Sequence, residues 1–112
     1  MGINGIGHIY AETTQWETSV GFWEGLGFSF AEQWGSDGHR AGRLITAGAS
    51  VVLSEVDESP AFNVFFDVSG ADDMVLGEQV AVTTPLQDTH WGTRWIRVTD
   101  PDGRTFALEE SA

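Results

Sequence analysis

Residues able to do chemistry are few in this chain. It has three histidines and no cysteine or lysine, so any bound metal must rest on His, Asp or Glu. His8 lies inside "GIGHIYAE" (5–12), on a short strand candidate. A histidine there can be a metal ligand. A lone histidine can instead serve as a general base or as a hydrogen-bond donor to a bound molecule, which makes His8 the candidate catalytic residue. His39, within "GSDGHRAG", reads as a solvated loop residue. No nucleophile elbow, Walker loop or dinucleotide fingerprint occurs.

Aromatic content points to ligand capture. There are five tryptophans and seven phenylalanines in 112 residues, more ring surface than a minimal core of this size needs. Trp16 and Trp23 recur at helical spacing and belong to packing. Trp34, Trp91 and Trp95 are less readily assigned to the core. In "RWIRV" a regular strand turns Trp95 and Arg97 away from Ile96 and Val98, and in "FNVFFDV" Phe65 opposes the apolar set. Rings on one sheet face, flanked by carboxylates, would stack on a planar ligand and attract its positive charge. Arg94 and Arg97 have acidic neighbours, so structural pairing is the first reading for both and contact with a ligand anion the second. A net charge of −12 repels phosphate backbones and argues against nucleic-acid binding.

The elements that must position these residues follow from periodicity. Residues 5–12 form a strand, and "TTQWETSVGFWEGLGF" forms a helix with Thr14 and Glu17 as a capping box. Its apolar stripe is Trp16, Val20 and Trp23, broadened by Phe22 and Leu26, and Gly25 and Gly27 stop it. Strands follow over 28–34, around "RLITAG" and over "SVVLSEV". After "DESPA", residues 62–68 alternate cleanly, with Phe62, Val64, Phe66 and Val68 on the core side. "SGADDMVLGEQ" holds one short helix capped by Ser69 or Asp72, and strands at "VAVTTP", "RWIRVT" and "RTFALEE" complete the chain, the last two joined by a "DPDG" turn. The order strand, helix and three strands thus occurs twice. Length favours a single domain over residues 1–112, with modules at about 1–58 and 61–112, although two very small compact units would also fit. No apolar run is long enough to span a membrane, and the opening residues do not read as a signal peptide, so cytoplasmic residence without membrane association is expected.

"GHIYAETTQWETSVGFWEGLGF" resembles the opening of the vicinal oxygen chelate superfamily, which includes glyoxalases, extradiol dioxygenases and bleomycin-resistance proteins. "WGTRWIRVTDPDGRTFALEE" is similar to that family's closing signature, and the two motifs stand in the right order at the right ends. The resemblance implies an α+β fold of paired βαβββ modules, each a curved half-barrel sheet with helices on its convex face, the second helix being shortened. It also implies a homodimer. Family enzymes draw one metal ligand from each of four strands, and His8 falls on the first of these positions. Asn63 falls where the second module would carry a histidine, the ligand position in "SVVLSEV" reads as Val52 or Leu53, and the last carboxylate position aligns with Ala107.

The resemblance is therefore closer to the bleomycin-resistance branch. It implies a protein that sequesters a bulky aromatic small molecule, cationic ones included, without a cofactor. Expected ligand contacts are His8, Tyr10, Trp34, Asn63, Phe65, His90, Trp91, Trp95 and Arg97. The alternative is a divalent-metal enzyme, glyoxalase-like or extradiol-type, using His8 with Glu55 and Glu109 in shifted registers.

Overall fold

A computed structural model describes residues 2–111. By its internal contacts the chain divides into two compact units, one of residues 8–62 and the other of residues 2–7 with 63–111. Each carries a βαβββ-type module, so the fold class is α+β. The break falls at position 62, and β1 (Gly2–Thr13) is shared, its first residues belonging with the second module. Glycine allows this at Gly7, where a Cβ would lie 3.4 Å from Asp67 Cβ and 3.5 Å from the Phe65 carbonyl oxygen.

In the first unit, β1 leads into α1 (Trp16–Gly25), followed by β2 (Ser29–Trp34), β3 (Ala41–Ile45) and β4 (Ser50–Glu55). The sheet order is β2-β3-β4-β1, with β1 parallel to β4 and the other pairs antiparallel. Ala11, Leu44, Val51 and Leu53 form the buried sheet side, and Trp16 of α1 closes over them with Ile9, Val20, Trp23, Phe28 and Phe30 packed around. The helical stripe is narrower than its periodicity predicts, because Phe22 and Leu26 are exposed. The capping box is also absent. Gln15 occupies the N-cap without a side-chain bond, and Thr13 Oγ1 accepts from the Gln15 amide at 2.9 Å, so a turn on Thr13 starts the helix instead. Gly27, at φ +105°, completes the stop: its amide donates to the Glu24 carbonyl and that of Phe28 to Trp23.

In the second unit, β5 (Phe62–Ser69) runs to a single 3₁₀ turn (Ala71–Asp73), then β6 (Ala81–Asp88), β7 (Arg94–Thr99) and β8 (Thr105–Glu110). The order is β5-β8-β7-β6, with β5 parallel to β8. The shortened helix is reduced to that turn, which has Gly70 at its start and no side-chain cap from Ser69 or Asp72; Glu110 Oε2 accepts the Ala71 amide at 2.9 Å. Val68, Ala71, Ile96 and Leu108 form the core, flanked by Phe66, Met74, Leu76, Leu86 and Val98. Phe62, expected on this side, is exposed at the strand's start. The "DPDG" turn is present: Asp100 Oδ1 accepts the amides of Asp102 and Arg104, and Gly103 sits at φ +85°.

Close packing in the first unit leaves no room for a side chain at Gly42. A Cβ on Gly42 would lie 2.6 Å from Phe30 Cε1 and 2.8 Å from the Glu32 carbonyl oxygen. Gly42→Ala is expected to cost about 1–3 kcal/mol as overpacking, read as a lower urea midpoint at unchanged slope.

Candidate functional site

Strand pairing in the second unit sorts its side chains into two rows on the face opposite the core. Phe65 on β5, Ala107 on β8, Arg97 on β7 and Thr84 on β6 are successive partners, and so are Asp67, Glu109, Trp95 and Gln87. Because paired residues share a face, Phe65, Trp95 and Arg97 surround Ala107. The small side chain of Ala107 leaves the diagonal open, and the Phe65 and Trp95 rings meet across it with centroids 6.0 Å apart. Trp91, in the loop between β6 and β7, extends the series edge-on to Trp95 at 5.1 Å, and His90 stands edge-on to Trp91 at 4.8 Å. The row runs from buried Phe65, 8% exposed, to Trp91, 47% exposed.

Polar contacts hold this surface in place. Glu109 Oε2 accepts from Trp91 Nε1 at 2.7 Å and from Thr93 Oγ1 at 2.9 Å. Thr89 and Thr93 close the loop, with the Thr89 amide on the Thr93 carbonyl at 2.9 Å and the Thr93 amide on Thr89 Oγ1 at 3.0 Å. Gly92, at φ +92°, makes the bend. The Arg97 guanidinium carbon lies 5.2 Å from the centre of a Trp95 ring. Trp95 Nε1 is buried and has no hydrogen-bond partner among the described residues. Such a donor is costly to leave unmade unless an acceptor arrives.

Phe65, His90, Trp91, Trp95 and Arg97 are therefore brought together. Asn63 shares the side of Phe65, and its side-chain amide donates to the Thr105 carbonyl at 3.1 Å, which ties β5 to β8. Glu109 enters as a support for Trp91 and Thr93. Thr89 and Thr93 are functional-loop residues outside the sequence expectations, and two threonines bracketing "HWG" are the sequence signal for such a closed loop.

The remaining candidates lie in the first unit. Tyr10 donates to Glu12 Oε2 at 2.8 Å, and burial raises its phenol above the usual range. Glu12 also clasps the segment before β5, its Oε1 accepting the Ala61 amide at 2.9 Å while its own amide donates to the Ala61 carbonyl at 2.8 Å. Trp34 ends β2 half-exposed, opposite Ala41.

Glu55 does not fit the alternative metal set. It pairs with Thr13 in the β1–β4 ladder and so shares the helix-covered side with Ala11, whereas His8 alternates to the opposite side with Tyr10 and Glu12. Its carboxylate is committed to Arg40, with bonds of 2.9 Å to Nε and NH2 and 3.1 Å to the Arg40 amide. No group of three or more metal-ligating side chains converges among the described residues. With Ala107 at the last ligand position, the donors present do not fit a four-ligand divalent site.

No family model and no curated protein matches the chain. Solved structures do. Methylmalonyl-CoA epimerase from Mycobacterium tuberculosis superposes with a TM-score of 0.72 at 18% identity, over 98% of this chain and 89% of that one. A glyoxalase/bleomycin resistance protein/dioxygenase superfamily member from Vibrio splendidus 12B01 gives 0.65 at 19%, over 93% and 97%. The Mn(II)-bound glyoxalase from Novosphingobium aromaticivorans gives 0.68 at 17%, over 97% of this chain and 39% of that one. The chain therefore shares the fold of these structures.

The Arg40 pair gives a pH-dependent expectation. The Arg40 side chain and amide hold the Glu55 carboxyl at about 2, against an ordinary 4.5. A depressed folded-state value means that the contribution is complete above the ordinary value and is lost as pH falls through the folded one. Glu55→Gln should therefore lower the thermal midpoint at neutral pH, and its deficit against the parent should shrink as pH falls from 4.5 towards 2. A deficit constant with pH would contradict this.

Proposed function

We propose that this chain binds a bulky aromatic small molecule, such as an antibiotic, and sequesters it on the open sheet face of the second unit. The observation that carries this reading is the graded row Phe65–Trp95–Trp91–His90, buried at one end and exposed at the other. A planar ligand laid against Trp91 would cover ring surface that water now touches, and offset or edge-on ring contacts favour it. Ala107 supports the same reading. Where a metal enzyme of this fold would carry a carboxylate, the methyl group gives ring room to Phe65 and Trp95. The reading includes a homodimer, which gel filtration at twice 12.2 kDa would verify.

The second reading is a divalent-metal enzyme in which His8 is a ligand. It is favoured by the shared fold of the Mn(II)-bound glyoxalase, and disfavoured by the placement of Glu55 and Ala107. Elemental analysis of protein purified without chelator separates the two: stoichiometric Mn, Fe, Ni or Zn, lost in His8→Ala, would overturn sequestration. Planar aromatics are expected to quench tryptophan emission on titration. Trp91→Ala should weaken that binding about fivefold, from about 1 kcal/mol of ring contact, while leaving the thermal midpoint within a few degrees. No quenching by any planar aromatic would refute the proposal.

A further inference from the structure

We infer that the ligand of this face carries an anionic group, a carboxylate or a chemical equivalent, which Arg97 receives while the attached ring lies on the tryptophans. The inference rests on the binding reading above and names the class of molecule bound.

The chain has five arginines among 17 acids, and four of the five are ion-paired. Arg40 holds Glu55, Arg43 holds Glu32, Arg94 holds Asp72 and Glu110, and Arg104 holds Asp100 and Asp102. Arg97 has no carboxylate at ion-pair distance among the described residues. In so acidic a chain an unpaired guanidinium is unexpected, and its surroundings account for it. Its cross-strand neighbours are Ala107 and Thr84, both neutral, where an acid at either position would sit directly opposite and neutralise it. The nearest carboxylate row is Asp67 and Glu109, and Glu109 Oε2 is occupied by Trp91 and Thr93.

Arg97 lies instead against the Trp95 ring, 5.2 Å away, a contact that does not neutralise its charge. The same indole carries the buried, unpartnered Nε1 donor. A partly exposed guanidinium with neutral cross-strand neighbours is suited to an oxyanion. The five donors of a guanidinium match a carboxylate with two parallel bonds, and such charge-assisted bonds are about twice as strong as neutral ones. Overall acidity, with Asp67 and Glu109 one row away, predicts a cationic ligand, but a group in contact with Arg97 meets a positive charge directly, and salt screens the wider field within about 8 Å.

Calorimetric titration of the full chain with three naphthalene probes of one shape tests this: 2-naphthoate, 2-naphthamide and 2-naphthyltrimethylammonium. The parent is expected to bind naphthoate about tenfold more tightly than the amide, the size of a charged hydrogen bond, and to bind the ammonium most weakly. Arg97→Gln should bring naphthoate and amide to equal affinity, and Arg97→Lys should keep part of the preference. Thr84→Glu, which places an acid opposite an intact Arg97, should abolish the preference as well. Equal binding of naphthoate and amide by the parent, tightest binding of the ammonium, or a preference that survives in Arg97→Gln would each overturn the inference and leave aromatic capture standing. Failure of all three probes to bind would defeat the proposed function itself.

Discussion

The organisation of the second unit depends on strict two-residue alternation along β8. Phe106 and Leu108 turn to the core, and Ala107 and Glu109 to the opposite side. Because β8 lies between β5 and β7, its alternation imposes the same division on both neighbours. Val64, Phe66, Ile96 and Val98 are drawn into apolar packing, and Phe65, Trp95 and Arg97 are left on one surface. A slip of one residue on β8 would bury Glu109 among leucine and isoleucine and turn Leu108 to the site, which the core would not tolerate. Core and site are thus two sides of one register.

Within that register the smallest residue has the largest effect. A carboxylate at position 107 would face Arg97 from one side and Phe65 from the other, closing the charge and filling the gap across which the rings meet. The methyl group leaves a cation uncompensated and two rings in contact. Ring contact and a carboxylate at this position therefore exclude one another. The sheet itself is common to both outcomes, which is why a fold shared with epimerase and glyoxalase structures below 20% identity does not decide activity.

Much of this was legible in the sequence, and the misses have physical causes. Strand alternation in "FNVFFDV" and "RWIRV" placed Phe65, Trp95 and Arg97 together because a period of two leaves no freedom once one face is apolar. The helix start was misread. Thr14 and Glu17 have capping-box spacing, but Thr13 takes the role one residue earlier, and local spacing does not reveal which hydroxyl the backbone turns towards. Phe22 and Leu26 follow the helical period yet stay exposed, since sequence does not give the width of sheet available to cover them. For Arg97, proximity to acids in sequence pointed to pairing, and only cross-strand register revealed that its true neighbours are alanine and threonine. Glu55 was misassigned for a related reason: its partner Arg40 is 15 residues away, brought near by the return of β3 on β4.

The small loop between β6 and β7 has a thermodynamic consequence. Thr89 and Thr93 bond to each other, Gly92 sets the bend, and Glu109 holds the Trp91 indole, so a solvent-exposed tryptophan is tied down before any ligand arrives. Its conformational entropy is surrendered during folding, when the whole sheet forms, and not when a ligand arrives. A ligand captured at this face as proposed would meet little ordering penalty and bring a negative heat-capacity change from covered ring surface. The loop owes its closure to hydroxyl groups, where a longer and freer connection would leave the ring to be ordered later.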